Sequence, residues 1–330
     1  MKVLKIIIPA IVALLAATGI YASVSPAADA SQQNHVRNSR PEHSEEMQVP
    51  MPPEVPQYVI FAGDTIDLTR SDLRERMDRE LIAFNFTHST SVLMIKRANR
   101  LFPQIEPILK ECGLPDDLKY LMTIESNLDP EAKSTAGACG LWQFMESTGR
   151  AYGLEVNDNI DERYNIEKAT RAACKFLLEA YEKYGDWMTV AASYNAGQAG
   201  ISRRLESQQV ASGLDLVLAS ETSRYMFRLL TCKMFMENPK AFGFHFMARD
   251  LYPYIAPKEV VTVTETVPDL VKFAKDHGVT YMQLKQENLW LRDTSLKDAS
   301  HRTYKIAIPD VEAQHYDPAR TKAHNPAWIK

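Results

Sequence analysis

Residues 165–184 read NIEKATRAACKFLLEAYEKY. Ile166, Ala169, Ala173, Phe176, Leu177, Ala180 and Tyr184 recur there at three- and four-residue spacing, so they share one face of a helix and leave the charges on the other. That amphipathic stretch sets the class as mainly α, and the neighbouring sequence agrees with it. Upstream, residues 70–86, 92–101 and 105–112 read as helices, the last two parted by Pro103. Cys112-Gly113-Leu114-Pro115 stops one helix and restarts another, with Asp116 and Asp117 in its first turn. Downstream, Asp186 caps a shorter helix ending near Gly197, and residues 223–237 form another before Asn238-Pro239. Helical composition thus runs from about residue 64 to 247, within a domain spanning 58–250. The pattern changes after Pro257. Residues 259–266 are rich in Val and Thr and read as a strand, 268–277 and 281–288 as helices, and 304–308 as a last strand. This is a small β-α-α-β module over 258–310, followed by a polar tail, 311–330, expected to be loosely held.

Composition narrows the function. Of 330 residues, 45% are hydrophobic and 24% charged, with 38 Lys and Arg against 42 Asp and Glu. A net charge of −4 argues against nucleic acid, which requires a basic face. There is no G-x-G-x-x-G or G-x-x-x-x-G-K-[ST] loop, the eight His are scattered, and neither H-E-x-x-H nor C-x-x-C occurs. No metal or organic cofactor is implied. Lys2 and Lys5 precede an apolar run over 6–20, so residues 1–22 read as a signal peptide and the protein as exported to the periplasm or cell envelope. An uncleaved membrane anchor is the alternative. Residues 23–57 carry six of the 18 Pro and form a polar linker. Export makes Cys112, Cys139, Cys174 and Cys232 candidates for disulfides, with all three full pairings open, and buried free thiols are the other reading.

Three stretches carry chemistry. In the helix after Pro115, Leu118, Leu121, Met122 and Glu125 follow i, i+3, i+4, i+7, which puts Glu125 in the apolar stripe. Desolvation raises the pKa of a carboxyl there and suits it to general acid work; a buried Glu paired with an Arg or capping a helix is the alternative. Residues 134–145, STAGACGLWQFM, place Gly137 and Gly140 before Trp142, Gln143, Phe144 and Met145. The glycines allow a tight turn, and an amide, an aromatic and a thioether after it can line a groove for a sugar. In the helix after Asp186, Trp187, Val190, Ala191 and Tyr194 share a face, so the Tyr194 hydroxyl points inward and needs a partner. Glu125 or a backbone carbonyl would serve.

Taken together, Ile124-Glu125-Ser126, residues 137–145, Ser193-Tyr194-Asn195-Ala196-Gly197 and Glu221-Thr222-Ser223-Arg224-Tyr225 resemble the family 1 (SLT-type) lytic transglycosylases, most closely their membrane-bound lytic murein transglycosylase D group. The four motifs stand in the family's order and spacing over about residues 90–240. The resemblance implies a lysozyme-like (goose-type) helical domain that cleaves the β-1,4 bond between N-acetylmuramic acid and N-acetylglucosamine in peptidoglycan glycan strands. It also implies Glu125 as the single catalytic acid and then base, with Ser126 supporting its carboxyl. Gln143, Phe144 and Met145 would line the sugar sites, Tyr194 and Asn195 would orient Glu125 and substrate, and Glu221 and Tyr225 would border the groove. The muramyl 2-acetamido group would stabilise the developing positive charge, and the sugar's own 6-hydroxyl would close a 1,6-anhydro ring without water. Cys139, Ser193 and Phe227 depart from the family pattern, where a small residue, Ala and Pro are usual.

The C-terminal module resembles a LysM unit, a small glycan binder, with Glu265-Thr266-Val267-Pro268 in place of the usual Gly-Asp-Thr turn. It would either bind glycan or serve as a structural cap. Two rival functions remain at this stage: a hydrolytic muramidase using Asp158, Asp161 or Glu162 to activate water, and a silent peptidoglycan-binding protein.

Overall fold

The computed structural model describes residues 51–297 and 302–330. The expected signal peptide and most of the expected linker therefore lie outside the described residues. Among the described residues no helix is long and apolar enough to cross a membrane.

The chain enters through a hairpin, β1 (Tyr58–Phe61) and β2 (Asp64–Asp67), paired from Tyr58 opposite Asp67 to Phe61 opposite Asp64. Ala62 and Gly63 take φ of +54° and +93°, the twin left-handed turn that matches strand twist. Val59, Phe61, Ile66 and Leu68 alternate into the core. The sequence reading placed helix from residue 64 and missed this hairpin.

Helices α1 (Ser71–Asn85) and α2 (His88–Glu111) follow. Helix α2 runs unbroken through Pro103 and Pro107, where the sequence suggested two helices. Each proline removes a hydrogen bond and costs about 3 kcal/mol in a helix interior. Leu101, Phe102, Ile105 and Leu109 are buried along this stretch, and their burial at about 1.5–3 kcal/mol each outweighs that cost. A short 3₁₀ turn leads into α3 (Lys119–Ser126), and α4 (Glu146–Ala151) follows a long loop.

Helix α5 (Ile166–Tyr184) is the amphipathic helix expected, capped by the Asn165 side chain on the Lys168 amide and closed by Gly185 at φ +63°. Asp186 caps α6 (Trp187–Ala196) through the Met188 and Thr189 amides. Helix α7 (Gln198–Gln208), which the sequence reading did not identify, buries only Ile201. Helix α8 (Ser220–Glu237) is central and packs against α1, α3 and α6. Phe227 does not disturb it; the ring is fully buried beneath the Arg76 guanidinium at 4.5 Å.

The C-terminal module has β3 (Glu259–Val263), α9 (Leu270–Asp276), α10 (Tyr281–Glu287) and β4 (Tyr304–Ile308), the two strands antiparallel. Asp269 caps α9, and buried Asn288 clips α10 to β4 through both polar groups of Ala307. The tail does not hang loose. Trp328 is fully buried and donates to the Met236 carbonyl at 2.6 Å, while His324 meets Glu106 at 2.8 Å and Asn99. One large aromatic with a satisfied N–H is enough to dock an otherwise polar segment.

All four cysteines are free thiols. Cys112 lies beside Cys174, whose thiol is pushed up by burial and by that neighbour.

Candidate active site

Helix α3 ends one residue after Glu125, and Asn127 and Leu128 then take φ of +51° and +56°. Two consecutive left-handed non-glycine residues cost roughly 1–3 kcal/mol each and are held in place by Leu128's burial and by Arg97, which binds the Asn127 carbonyl at 3.1 Å and Asp129 at 3.0 Å. This break sends the chain away just where Glu125 meets the α8 face.

From α8, the Tyr225 hydroxyl donates to Glu125 Oε1 at 2.6 Å. It is the only hydrogen-bond partner of that carboxyl among the described residues. Burial pushes the Glu125 pKa up to about 7; the Tyr225 hydrogen bond and the Arg228 charge pull it back, and Glu221 raises it. Glu221, Tyr225 and Arg228 recur at i, i+4, i+7 and share one face of α8. The Arg228 guanidinium lies over the Tyr225 ring at 5.6 Å. Sequence reasoning placed Tyr225 only at the border of the groove and did not single out Arg228. The spacing was the signal available.

Of the two partners open to Tyr194, the structure selects the backbone carbonyl. Its hydroxyl donates to the Trp142 carbonyl at 2.6 Å rather than to Glu125; burial, and after it the nearby Glu125 charge, pushes its pKa up. Its ring sits edge-on to Phe176 at 5.1 Å and near Phe144 at 6.4 Å. Tyr194 therefore secures the 137–145 turn. Tyr194→Phe leaves the Trp142 carbonyl without its donor, and we expect a loss of about 1–3 kcal/mol in a thermal or denaturant melt. An unchanged melt would show that this bond does not hold the turn.

The turn itself is tightly specified. Gly140 takes φ +73°, its amide bonds the Ala132 carbonyl at 2.9 Å, and the Arg163 carbonyl packs against its Cα. Arg163 pairs with Asp161 at 2.7 Å and donates to the carbonyls of Gly137 at 2.9 Å and Phe144 at 3.2 Å. Trp142 is fully buried with its N–H on Thr170 at 3.0 Å. Gln143, another left-handed residue at φ +49°, donates its amide to Gly140 O at 2.8 Å and Ala132 O at 3.2 Å. Met145 is 43% exposed, while Phe144 is only 3% exposed and belongs to the core rather than the groove surface.

Other expected positions fall as follows. Ser126 is buried, and its hydroxyl returns to the Met122 carbonyl at 3.3 Å instead of supporting Glu125. Asn195 is half-buried at the end of α6, and Glu221 is exposed in the first turn of α8. Cys139 fits its slot as a buried thiol against Gly137 O, and Ser193 fits by bonding Val190 O at 2.8 Å. Asp161 and Glu162 are committed to Arg163 and Lys168, and Asp158 is on the surface.

The chain matches the transglycosylase SLT domain over residues 105–215 and the soluble lytic transglycosylase C-terminal LysM-like domain over residues 259–312. Membrane-bound lytic murein transglycosylase D of Escherichia coli K12 is 26% identical over 244 residues, covering 72% of this chain and 52% of that protein. This chain thus spans about half the length of that relative. Peptidoglycan transglycosylase gp16 of Escherichia phage T7 is 34% identical over 117 residues, 35% of this chain and 9% of its own. A solved structure of an inactive mutant of lytic transglycosylase Slt from Pseudomonas aeruginosa aligns at a TM-score of 0.35 and 20% identity, over 40% of this chain and 23% of that one.

Proposed function

We propose that this chain, with its SLT transglycosylase domain and its LysM-like C-terminal domain, is a lytic transglycosylase of the cell envelope that cleaves peptidoglycan between N-acetylmuramic acid and N-acetylglucosamine. One observation carries the reading: a desolvated carboxyl, Glu125, with a pKa near 7 and a tyrosine on one oxygen, beside a glycine turn that carries half-buried Gln143 and exposed Met145. At neutral pH a large fraction of Glu125 keeps its proton, as a general acid requires.

In the first step Glu125 gives that proton to the glycosidic oxygen and the C1–O bond breaks. The muramyl 2-acetamido oxygen takes up the positive charge at C1. Glu125, now a carboxylate held by Tyr225, removes the proton of the muramyl 6-hydroxyl, whose oxygen bonds C1 and releases the acetamido group. The products are a free N-acetylglucosamine end and a 1,6-anhydro-muramyl end, and Glu125 regains its proton. No water is consumed. Hydrolysis by the usual two-carboxylate route needs a second carboxylate to act as nucleophile or to activate water. Asp161 and Glu162 are held in ion pairs, and among the described residues the carboxylate whose charge bears on Glu125 is Glu221.

The test is the mass of products from purified sacculi. Muramyl ends one water lighter than muramidase fragments are expected, and full-mass reducing ends would sink the reading in favour of a hydrolase. A well-folded protein that binds sacculi and releases nothing would make it a binding protein. A second test uses pH. The first step needs protonated Glu125, so kcat/KM should fall as pH rises through about 7. Tyr225→Phe removes a bond that favours the carboxylate, so that limb should move to higher pH while the rate drops. A limb that stays put would separate Tyr225 from the Glu125 proton.

A further inference from the structure

The C-terminal module is not tethered beside the catalytic domain; it shares a core with it. Ile160, Tyr164 and Cys139 of the catalytic domain are buried in one cluster with Leu270, Leu291 and Tyr304 of the module. The backbone is joined as well. Asp161 N donates to Trp290 O at 2.9 Å, Arg292 N donates to Asn159 O at 2.9 Å, and Ile160 forms a β-bridge with Leu291. Asn159, only 9% exposed, spans the joint with its side chain: Nδ2 donates to Ser295 O at 2.8 Å and to Asp293 at 3.3 Å, and Oδ1 accepts from Lys297 N at 2.9 Å. Tyr304 reaches Glu155 at 2.9 Å, and the Arg292 guanidinium covers the Tyr164 ring at 4.6 Å.

The segment the module grips, residues 155–164, is the one that holds the substrate-side turn. Arg163 ties down Gly137 and Phe144, its carbonyl abuts Gly140, and Cys139 lies in the shared cluster. We propose that the module acts as a fixed buttress of the glycan groove, with Asn159 as the positioning residue that transmits its docking through residues 155–164 to the turn bearing Gln143 and Met145. This rests on the reading of that turn as a sugar-binding wall. Glu125 and Tyr225 sit on α3 and α8, outside this chain of contacts, so undocking should weaken sugar binding and leave the chemical step largely intact.

The experiment compares full-length wild type with Asn159→Ala. Hydrogen exchange is followed at the joint (amides of Asp161 and Arg292) and at the turn (amides of Cys139, Gly140 and Gln143, each bonded to a backbone carbonyl). Calorimetry gives the Kd for a peptidoglycan-derived tetrasaccharide, both proteins carrying Glu125→Gln so that the sugar survives; kcat and KM on glycan strands follow in the active background. The expected result is faster exchange at joint and turn together, about tenfold weaker tetrasaccharide binding, and a KM raised similarly for strands with kcat within twofold. Joint amides that open while the turn amides and Kd stay at wild-type values would overturn the buttress. A joint that does not loosen would overturn the role of Asn159. Weakening confined to long strands, with the tetrasaccharide unaffected, would make the module an independent glycan binder instead. Exchange and Kd are read without turnover, so failure of the proposed reaction would leave this result intact and be visible separately as an absence of products.

Discussion

Glu125→Gln is expected to lower the rate of glycan cleavage by at least about 10³-fold, because one carboxyl supplies both the acid and the base and each role contributes roughly 10²–10⁴. The same substitution should stabilise the protein at alkaline pH. The folded-state pKa of Glu125, about 7, lies above its ordinary 4.5, so folding takes up protons in between. The sign follows from linkage: stability is full below about 4.5 and falls as pH rises through about 7, by an amount of order 3 kcal/mol, while a glutamine shows no such fall. Thermal melts of the two proteins at pH 5 and pH 8 check this. The variant should gain on the wild type as pH rises, and a gap independent of pH would mean that Glu125 is not desolvated as described. Burial that destabilises the fold is here the same burial that readies the acid.

Gly140→Ala is expected to carry the largest structural effect, about 3 kcal/mol or more, and to remove activity with it. A Cβ at this position would lie 2.1 Å from the Arg163 carbonyl oxygen, and the residue sits at φ +73°. Nothing near it is a flexible side-chain end that could give way, so the backbone itself must shift. The Arg163 segment and the turn would separate, taking the Gln143 and Met145 positions with them. Gly137→Ala is the control. It shares a positive φ of +88° but meets nothing within 4 Å, so it should show only the smaller conformational cost. Equal destabilisation of the two variants would contradict the close packing argued for Gly140.

Much of this was legible in the sequence because the periodic signals were strong. The 165–184 stretch sufficed for α5, and the i, i+3, i+4, i+7 row through Glu125 placed its carboxyl in an apolar setting. What failed did so for identifiable physical reasons. Pro103 and Pro107 signal helix breaks locally, but the apolar side chains around them bury enough surface to carry α2 through. The entry hairpin rests on an Ala-Gly turn, a weaker sign than Asn-Gly, and its strands have only four residues each. The tail looks unstructured by composition, and one tryptophan decides otherwise. Within the site, the inward tyrosine on α6 was visible but its partner was not. Tyr194 and Tyr225 both approach Glu125, and only the path of the 137–145 turn determines that the first meets Trp142 O and the second the carboxyl. Long-range contacts of that kind, like the grip of the C-terminal module on residues 155–164, leave no periodic trace.

The most direct measurement of the central claim is the fate of solvent oxygen. Sacculi are digested by the wild-type protein in H₂¹⁸O and the newly formed muramyl ends are analysed by mass spectrometry, with Glu125→Gln as the blank. If the muramyl 6-hydroxyl closes the ring after Glu125 has acted as acid and then base, the ends carry no ¹⁸O and are one water short. Incorporation of ¹⁸O at C1 of the muramyl product would show that water is the nucleophile, and would contradict the single-carboxyl, non-hydrolytic account.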